Sequence, residues 1–135
     1  EKLGIKVKID VMPPSTLRQA IATNKIAFFR ASWIADYPDA ENYLSLFNSA
    51  NFTPNGPNYT HFKYYGYDAL YQKALATVNS DDRRVIYEQM DAIVAQQVPV
   101  IILFYDKLAR FTQNNVTGLQ PNAMNALNLK TVKKQ

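Results

Sequence analysis

Trp33, Asp36 and Tyr37 stand together at the end of an apolar run, and an Asn58-Tyr59 pair follows in a long polar and aromatic loop. A carboxylate flanked by aromatics suits an ammonium group. The charge-assisted hydrogen bond fixes the cation, and aromatic faces add about 0.5–2 kcal/mol of cation–π attraction. The same residues also fit a purely structural reading, with Trp33 in a core and Asp36 opening the turn before Pro38. Residue chemistry leaves both readings open.

Other chemistries lack parts. His61 is the single histidine and the chain has no cysteine, which removes thiolate metal sites, disulfides and cysteine nucleophiles, and leaves a His-based metal site without a second ligand. No serine stands in a Gly-x-Ser-x-Gly turn, and Gly4, Gly56, Gly66 and Gly118 are too scattered to cradle a phosphate. Asp36 and Asp39 could be drawn as an acid–base pair, but Asp39 reads better as a helix cap. An enzyme is therefore unsupported by these residues, and no cofactor or metal is expected.

The elements that must position these residues follow from period and punctuation. Ile5, Val7, Ile9 and Val11 alternate with Lys6, Lys8 and Asp10, which predicts a half-buried strand over Leu3 to Val11. Pro13-Pro14 ends it. Ser15 or Thr16 then caps a short helix whose stripe is Leu17, Ala20 and Ile21, with Asn24 as terminator. Ile26 to Trp33 reads as a second strand, so a parallel βαβ-like unit is expected. Pro38 fits a helix's first turn, with Asp39 and Glu41 at its positive end and Tyr43, Leu44 and Phe47 facing inward.

Asn48 to Gly66 is longer than most connections, and its aromatic content argues for order. Tyr67, Leu70, Tyr71, Ala74, Leu75 and Val78 recur at helical spacing. Asn79 caps a further helix with Asp81 and Asp82 in its first turn and Ile86, Met90, Ile93, Val94 and Gln97 along it, until Pro99 ends it. Val100 to Tyr105 reads as a strand covered on both faces, and Asp106-Lys107 as a turn. Leu108 to Thr112 reads as a further strand, and Asn114-Asn115 as another turn. The expected class is α/β, a mixed sheet with flanking helices. Asp36 then lies beyond the carboxyl end of a central strand, where open α/β sheets place their ligands.

Composition bounds the rest. The chain has 135 residues, 47% hydrophobic and 19% charged, enough for one folded unit. Seven Phe, nine Tyr and one Trp supply more burial than a disordered chain carries. No apolar run reaches the length of a membrane span, and the opening Glu-Lys-Leu-Gly-Ile-Lys lacks a signal peptide's apolar core. The net charge of +4 is spread along the chain, with no Lys or Arg between Arg30 and Lys63, which argues against nucleic acid.

Ala31-Ser32-Trp33-Ile34-Ala35-Asp36-Tyr37-Pro38-Asp39-Ala40-Glu41-Asn42 resembles a stretch usually written Gly-Trp-x-Ala-Asp-Tyr-Pro-Asp-Pro-x-Asn, with Ser32 where Gly is common and Ala40 where Pro is. That stretch marks the family 5 extracellular solute-binding proteins, the oligopeptide and dipeptide receptors of ABC importers. Leu3 to Val7, Asn58-Tyr59, Tyr67 to Leu70, Arg83 to Met90, Val98 to Ile101 and Val116-x-Gly118 resemble further segments of the family's C-terminal part, in order. Met12-Pro13-Pro14 departs from it, standing where a tryptophan-bearing segment is usual.

The resemblance implies part of a type II periplasmic-binding-protein fold, in which two lobes close around a ligand. Residues 1–105 would form part of the second lobe, and 106–135 the crossover and return toward the first. The rest of the first lobe and any signal sequence would lie outside these residues. It implies that Asp36 receives a peptide's α-ammonium and Trp33 lines a side-chain pocket. Ser32 and Ala35 would contribute backbone, and Tyr37, Asn58 and Tyr59 are further contacts. Relatives also bind nickel complexes, haem, or plant-derived sugars and opines, so the ligand is expected to be a peptide or another small amine. The implied partners are permease subunits, and the implied place is the periplasm or a lipid-anchored position at a bacterial cell surface. The alternatives are the ligand-sensing domain of a transcriptional regulator with the same fold and, more distantly, an enzyme drawing its nucleophile or metal from elsewhere.

Overall fold

A computed structural model describes residues 2–122 and 124–135. Its core is built where the sequence has its cleanest helical period. Helix α3 (Tyr65–Ala76) buries Tyr67, Tyr71 and Ala74, and helix α4 (Ser80–Gln97) buries Ile86, Met90 and Val94 against them. Tyr67 and Met90 lose all solvent exposure, and full burial of one such apolar side chain is worth about 1.5–3 kcal/mol. The Asn79 side chain caps α4 by accepting the Asp81 and Asp82 amides at 2.9 and 3.1 Å. Two aspartates in the first turn add to this by meeting the positive end of the helix dipole.

Helix α4 stops at Val98, which turns left-handed (φ 48°) and donates its N–H to the Val94 carbonyl at 2.9 Å before Pro99. Leu75 and Val78, expected on the buried stripe, are exposed instead. Helix α3 ends at Ala76, so Val78 no longer follows its period.

Helix α1 (Pro14–Ala22) starts one residue ahead of the expected cap. Pro13 takes the N-cap place and Pro14 the first turn, where a missing N–H costs nothing. No side chain caps it. Its C-terminus closes as expected, with Asn24 left-handed (φ 53°), Asn24 N–H on Ile21 O at 3.0 Å and Lys25 N–H on Ala20 O at 2.8 Å.

Helix α2 (Glu41–Leu44) begins at Glu41 rather than at Pro38. The Asp39 carboxylate accepts the Glu41 amide at 2.9 Å and so serves as the side-chain stop before the helix. After four residues α2 tightens into a 3-10 turn over Ser45–Phe47, followed by another over Ser49–Asn51. Leu44 is buried and Phe47 packs against the core, but Tyr43 turns outward. The Tyr67 hydroxyl donates to Leu44 O at 2.7 Å and joins α2 to α3.

The mixed sheet does not form among the described residues. Their one ladder is antiparallel, β1 (Val116–Thr117) with β2 (Lys133–Lys134), in the register Val116 opposite Lys134. Leu3 to Val11, Ile26 to Trp33, Val100 to Tyr105 and Leu108 to Thr112 carry no ladder, and no βαβ unit is made. Ile5, Val7, Ile9, Val11 and Ile101 through Tyr105 are exposed. An alternating pattern supplies a face to bury but no pairing partner, and a strand without one leaves its N–H and C=O groups to water. The Asp106-Lys107 turn is absent too, while Asn114-Asn115 turns as expected, with Val116 N–H on Gln113 O at 2.9 Å. No helix among the described residues is long and apolar enough to cross a membrane.

Candidate functional site

Asn42 organises the region around Trp33 and Asp36. It sits on α2 at 3% exposure, and its Oδ1 accepts two hydrogen bonds, from Trp33 Nε1 at 2.7 Å and from the Asp36 backbone N–H at 3.2 Å. The two donors lie on an irregular segment, where that one buried amide joins them. Trp33 is half-buried, and its ring meets Tyr59 edge to face, with centroids 6.5 Å apart and planes at 69°. Asp36 is exposed, and among the described residues its carboxylate accepts no hydrogen bond and meets no cation.

Tyr37 donates its hydroxyl to Glu41, which also accepts the hydroxyl of Tyr71 from α3. The hydrogen bond to Glu41, followed by burial, raises the Tyr37 phenol above its ordinary range. For Tyr71 burial comes first and Glu41 second, again upward. Asp39 is held in the same way from α4. Tyr87 donates to Asp39 Oδ1 at 3.1 Å, and Arg83 reaches Asp39 Oδ2 at 3.3 Å while stacking over Tyr87 at 5.9 Å. Desolvation, reinforced by Asp39, pushes the Tyr87 phenol up to about 12.

Asn58 is fully buried and spends its whole side chain inside the loop. Its Nδ2 donates to Asn48 O at 3.0 Å and Phe62 O at 2.9 Å, and its Oδ1 accepts Phe62 N–H at 3.2 Å and Thr60 Oγ1 at 3.1 Å. Its neighbour Tyr59 is thereby set beside Trp33. Ser32 is exposed and Ala35 half-buried. The loop is ordered by such contacts, and His61 shares in them. Its ring lies 5.0 Å from Phe52 and its Nε2 3.2 Å from Thr53 O.

The structure thus ties Trp33 and the Asp36 backbone to Asn42 and Tyr37 to Glu41, and sets Tyr59 against the Trp33 ring, while Asn58 is a buried support within its own loop. Sequence reasoning passed over Asn42, Glu41, Tyr71, Arg83 and Tyr87 as parts of this frame. The Asn42 position was legible as the end of the quoted stretch, but its two bonds were not. Two concavities, of about 360 Å³ between Lys73, Asp82 and Ile86 and about 330 Å³ between Leu108, Arg110 and Gly118, lie elsewhere. Trp33 and Asp36 line neither of them. Among the described residues no group of three His, Cys, Asp or Glu side chains could hold a metal ion. The arrangement leaves the Asp36 carboxylate open to solvent, three residues along the chain from the Trp33 ring that meets Tyr59.

No family model matches the chain. Among curated proteins it is 30% identical over 116 residues to the probable deoxycholate-binding periplasmic protein YgiS of Escherichia coli K12, covering 86% of this chain and 21% of that protein. It is 27% identical over 130 residues to di/tripeptide-binding protein 4 of Pseudomonas aeruginosa, covering 96% of the chain and 24% of that protein. Heme-binding protein A of Haemophilus influenzae matches at 28% over 101 residues, 74% of the chain and 18% of its own length. The chain spans about a fifth to a quarter of the curated relatives it matches. Each is named as a binding protein. The resemblance to the family 5 solute-binding receptors is thus borne out, and the chain is similar over most of its length to binding proteins named for dipeptides, tripeptides or deoxycholate, two of them named periplasmic.

Proposed function

We propose that this chain belongs to the ligand-binding component of an ABC importer, and that Asp36 anchors the ammonium group of a peptide or another small amine. The observation that carries this reading is the Asp36 carboxylate, open to solvent on a backbone tied to the same buried Asn42 oxygen that holds Trp33, whose ring meets Tyr59. The relatives' names range over di/tripeptides, deoxycholate and heme, so kinship alone leaves the ligand open. An anion such as deoxycholate would meet like charge at Asp36, whereas an ammonium would gain a charge-assisted hydrogen bond.

Ser32, Ala35, Tyr37 and Tyr59 complete the contact surface, with Asn58 holding the loop behind Tyr59. In the whole protein, residues 1–105 form part of one lobe of a type II periplasmic-binding-protein fold, and 106–135 cross back toward the other. The four apolar runs then gain ladder partners, and closure of the lobes over Asp36 desolvates the ion pair. The receptor acts in the periplasm or lipid-anchored at the cell surface, and delivers its ligand to permease subunits.

Native mass spectrometry of the whole protein, purified without unfolding, tests the ligand class. Co-purified masses that fragment as peptides or small amines are the expected result. A bound anion or steroid in their place would overturn the assignment of Asp36.

A further inference from the structure

A buried amide oxygen has two lone pairs, and Asn42 commits both of them to the segment that carries the ligand-facing groups. One takes the indole N–H of Trp33, the chain's single tryptophan, and the other the backbone N–H of Asp36. We infer that Asn42 is a positioning residue that sets the Trp33 ring and the Asp36 carboxylate in one fixed relation, and so determines selectivity for a free ammonium group. The inference rests on the reading of Asp36 given above.

Three features make Asn42 suited to this role. Its side chain is shielded, so water competes poorly for the oxygen and a lost donor would leave a buried acceptor unpaired. Its own backbone is fixed, because the Ser45 hydroxyl donates to Asn42 O at 2.9 Å and Tyr67 holds the end of the same helix through Leu44 O. The two donors are three residues apart on a segment without ladder bonds, so nothing regular would keep them in register if the acceptor were removed. Only the backbone N–H of Asp36 enters this bond, and its exposed carboxylate accepts no hydrogen bond among the described residues.

The test compares wild type, Asp36→Asn and Asn42→Leu in the whole protein. The probes are a mixed tripeptide library with free amino termini and the same library N-acetylated. Wild type is expected to retain the free library over the acetylated one, and each variant to lose about tenfold or more of that preference. Selective ¹⁵N labelling reads the frame without any ligand. In Asn42→Leu the Trp33 indole N–H and the Asp36 amide are expected to shift and to exchange faster together, while the Tyr71 amide on α3 keeps its position.

If Asn42→Leu keeps its preference while Asp36→Asn loses it, the role of Asn42 falls and the reading of Asp36 stands. If wild type shows no preference, the reading of Asp36 falls, and the labelling alone judges whether Asn42 sets the two donors. Should Asn42→Leu not fold, Trp33→Phe takes its place. The freed oxygen is then expected to shift the Asp36 amide, and an unmoved amide overturns the coupling.

Discussion

Tyr87 on α4 donates its hydroxyl to Asp39 Oδ1 at 3.1 Å, joining residues 48 positions apart and fastening the entry to α2 onto the packed α3–α4 pair. Arg83, one turn earlier on α4, reaches the other oxygen of the same carboxylate at 3.3 Å. Removing the hydroxyl in Tyr87→Phe deletes one hydrogen bond while Arg83 keeps the carboxylate paired. The expected loss is about 0.5–1.5 kcal/mol in urea unfolding. A variant as stable as wild type would show that Arg83 alone holds Asp39.

The tyrosines also predict a response to alkali. Their phenols titrate higher folded than unfolded, Tyr87 at about 12 against the ordinary value of 10.0, with burial the first cause. Tyr67 and Tyr71 are raised further, also chiefly by burial. A raised folded pKa means that the folded state holds its proton longer than the unfolded one. The stabilisation is therefore fully present below about pH 10 and declines as pH rises from there toward and through 12. Unfolding free energies measured from pH 8 to 11.5 should fall above 10, and fall less steeply in Tyr71→Phe. A flat profile would contradict this ordering.

Helices α3 and α4 were legible because their packing is written in local period. Tyr67, Tyr71 and Ala74 face Ile86, Met90 and Val94, and the Asn79 cap and Pro99 stop act over neighbouring residues. The strands were not legible in the same sense. Val7 and Ile9 alternate correctly with Lys6 and Lys8, but pairing depends on a neighbour that no local pattern reports, and these side chains are exposed here. The site divides likewise. Asp36 and Trp33 stood out by type and spacing, whereas Asn42 and Asn58 owe their roles to burial, which an asparagine's sequence neighbours do not announce.

Gly56 lets its loop pass close to the Asn51 backbone. A Cβ there would stand 2.6 Å from the Asn51 carbonyl oxygen, and backbone cannot yield as a flexible side chain would. Gly56→Ala is expected to destabilise by about 1–3 kcal/mol and to disturb the Trp33–Tyr59 contact, seen as a change in tryptophan fluorescence. An unchanged spectrum and midpoint would mean that the loop accommodates the methyl.

Val98 marks a position where substitution should help. Its left-handed backbone (φ 48°, ψ 50°) costs a β-branched residue about 1–2 kcal/mol, while glycine there gives back about 0.5–1 kcal/mol in chain entropy. Val98→Gly is expected to raise stability by up to about 1 kcal/mol, read from the denaturation midpoint. A lower midpoint would show that the valine side chain contributes packing that outweighs its backbone cost.

The measurement that bears most directly on the account is the affinity of the whole protein for its co-purified ligand with and without Asp36→Asn. The substitution keeps size and shape and removes the charge that would face an ammonium. Losing one partner of a desolvated pair costs on the order of 3–5 kcal/mol, so calorimetry should show binding weakened at least tenfold. Equal affinities for the two proteins would contradict the account.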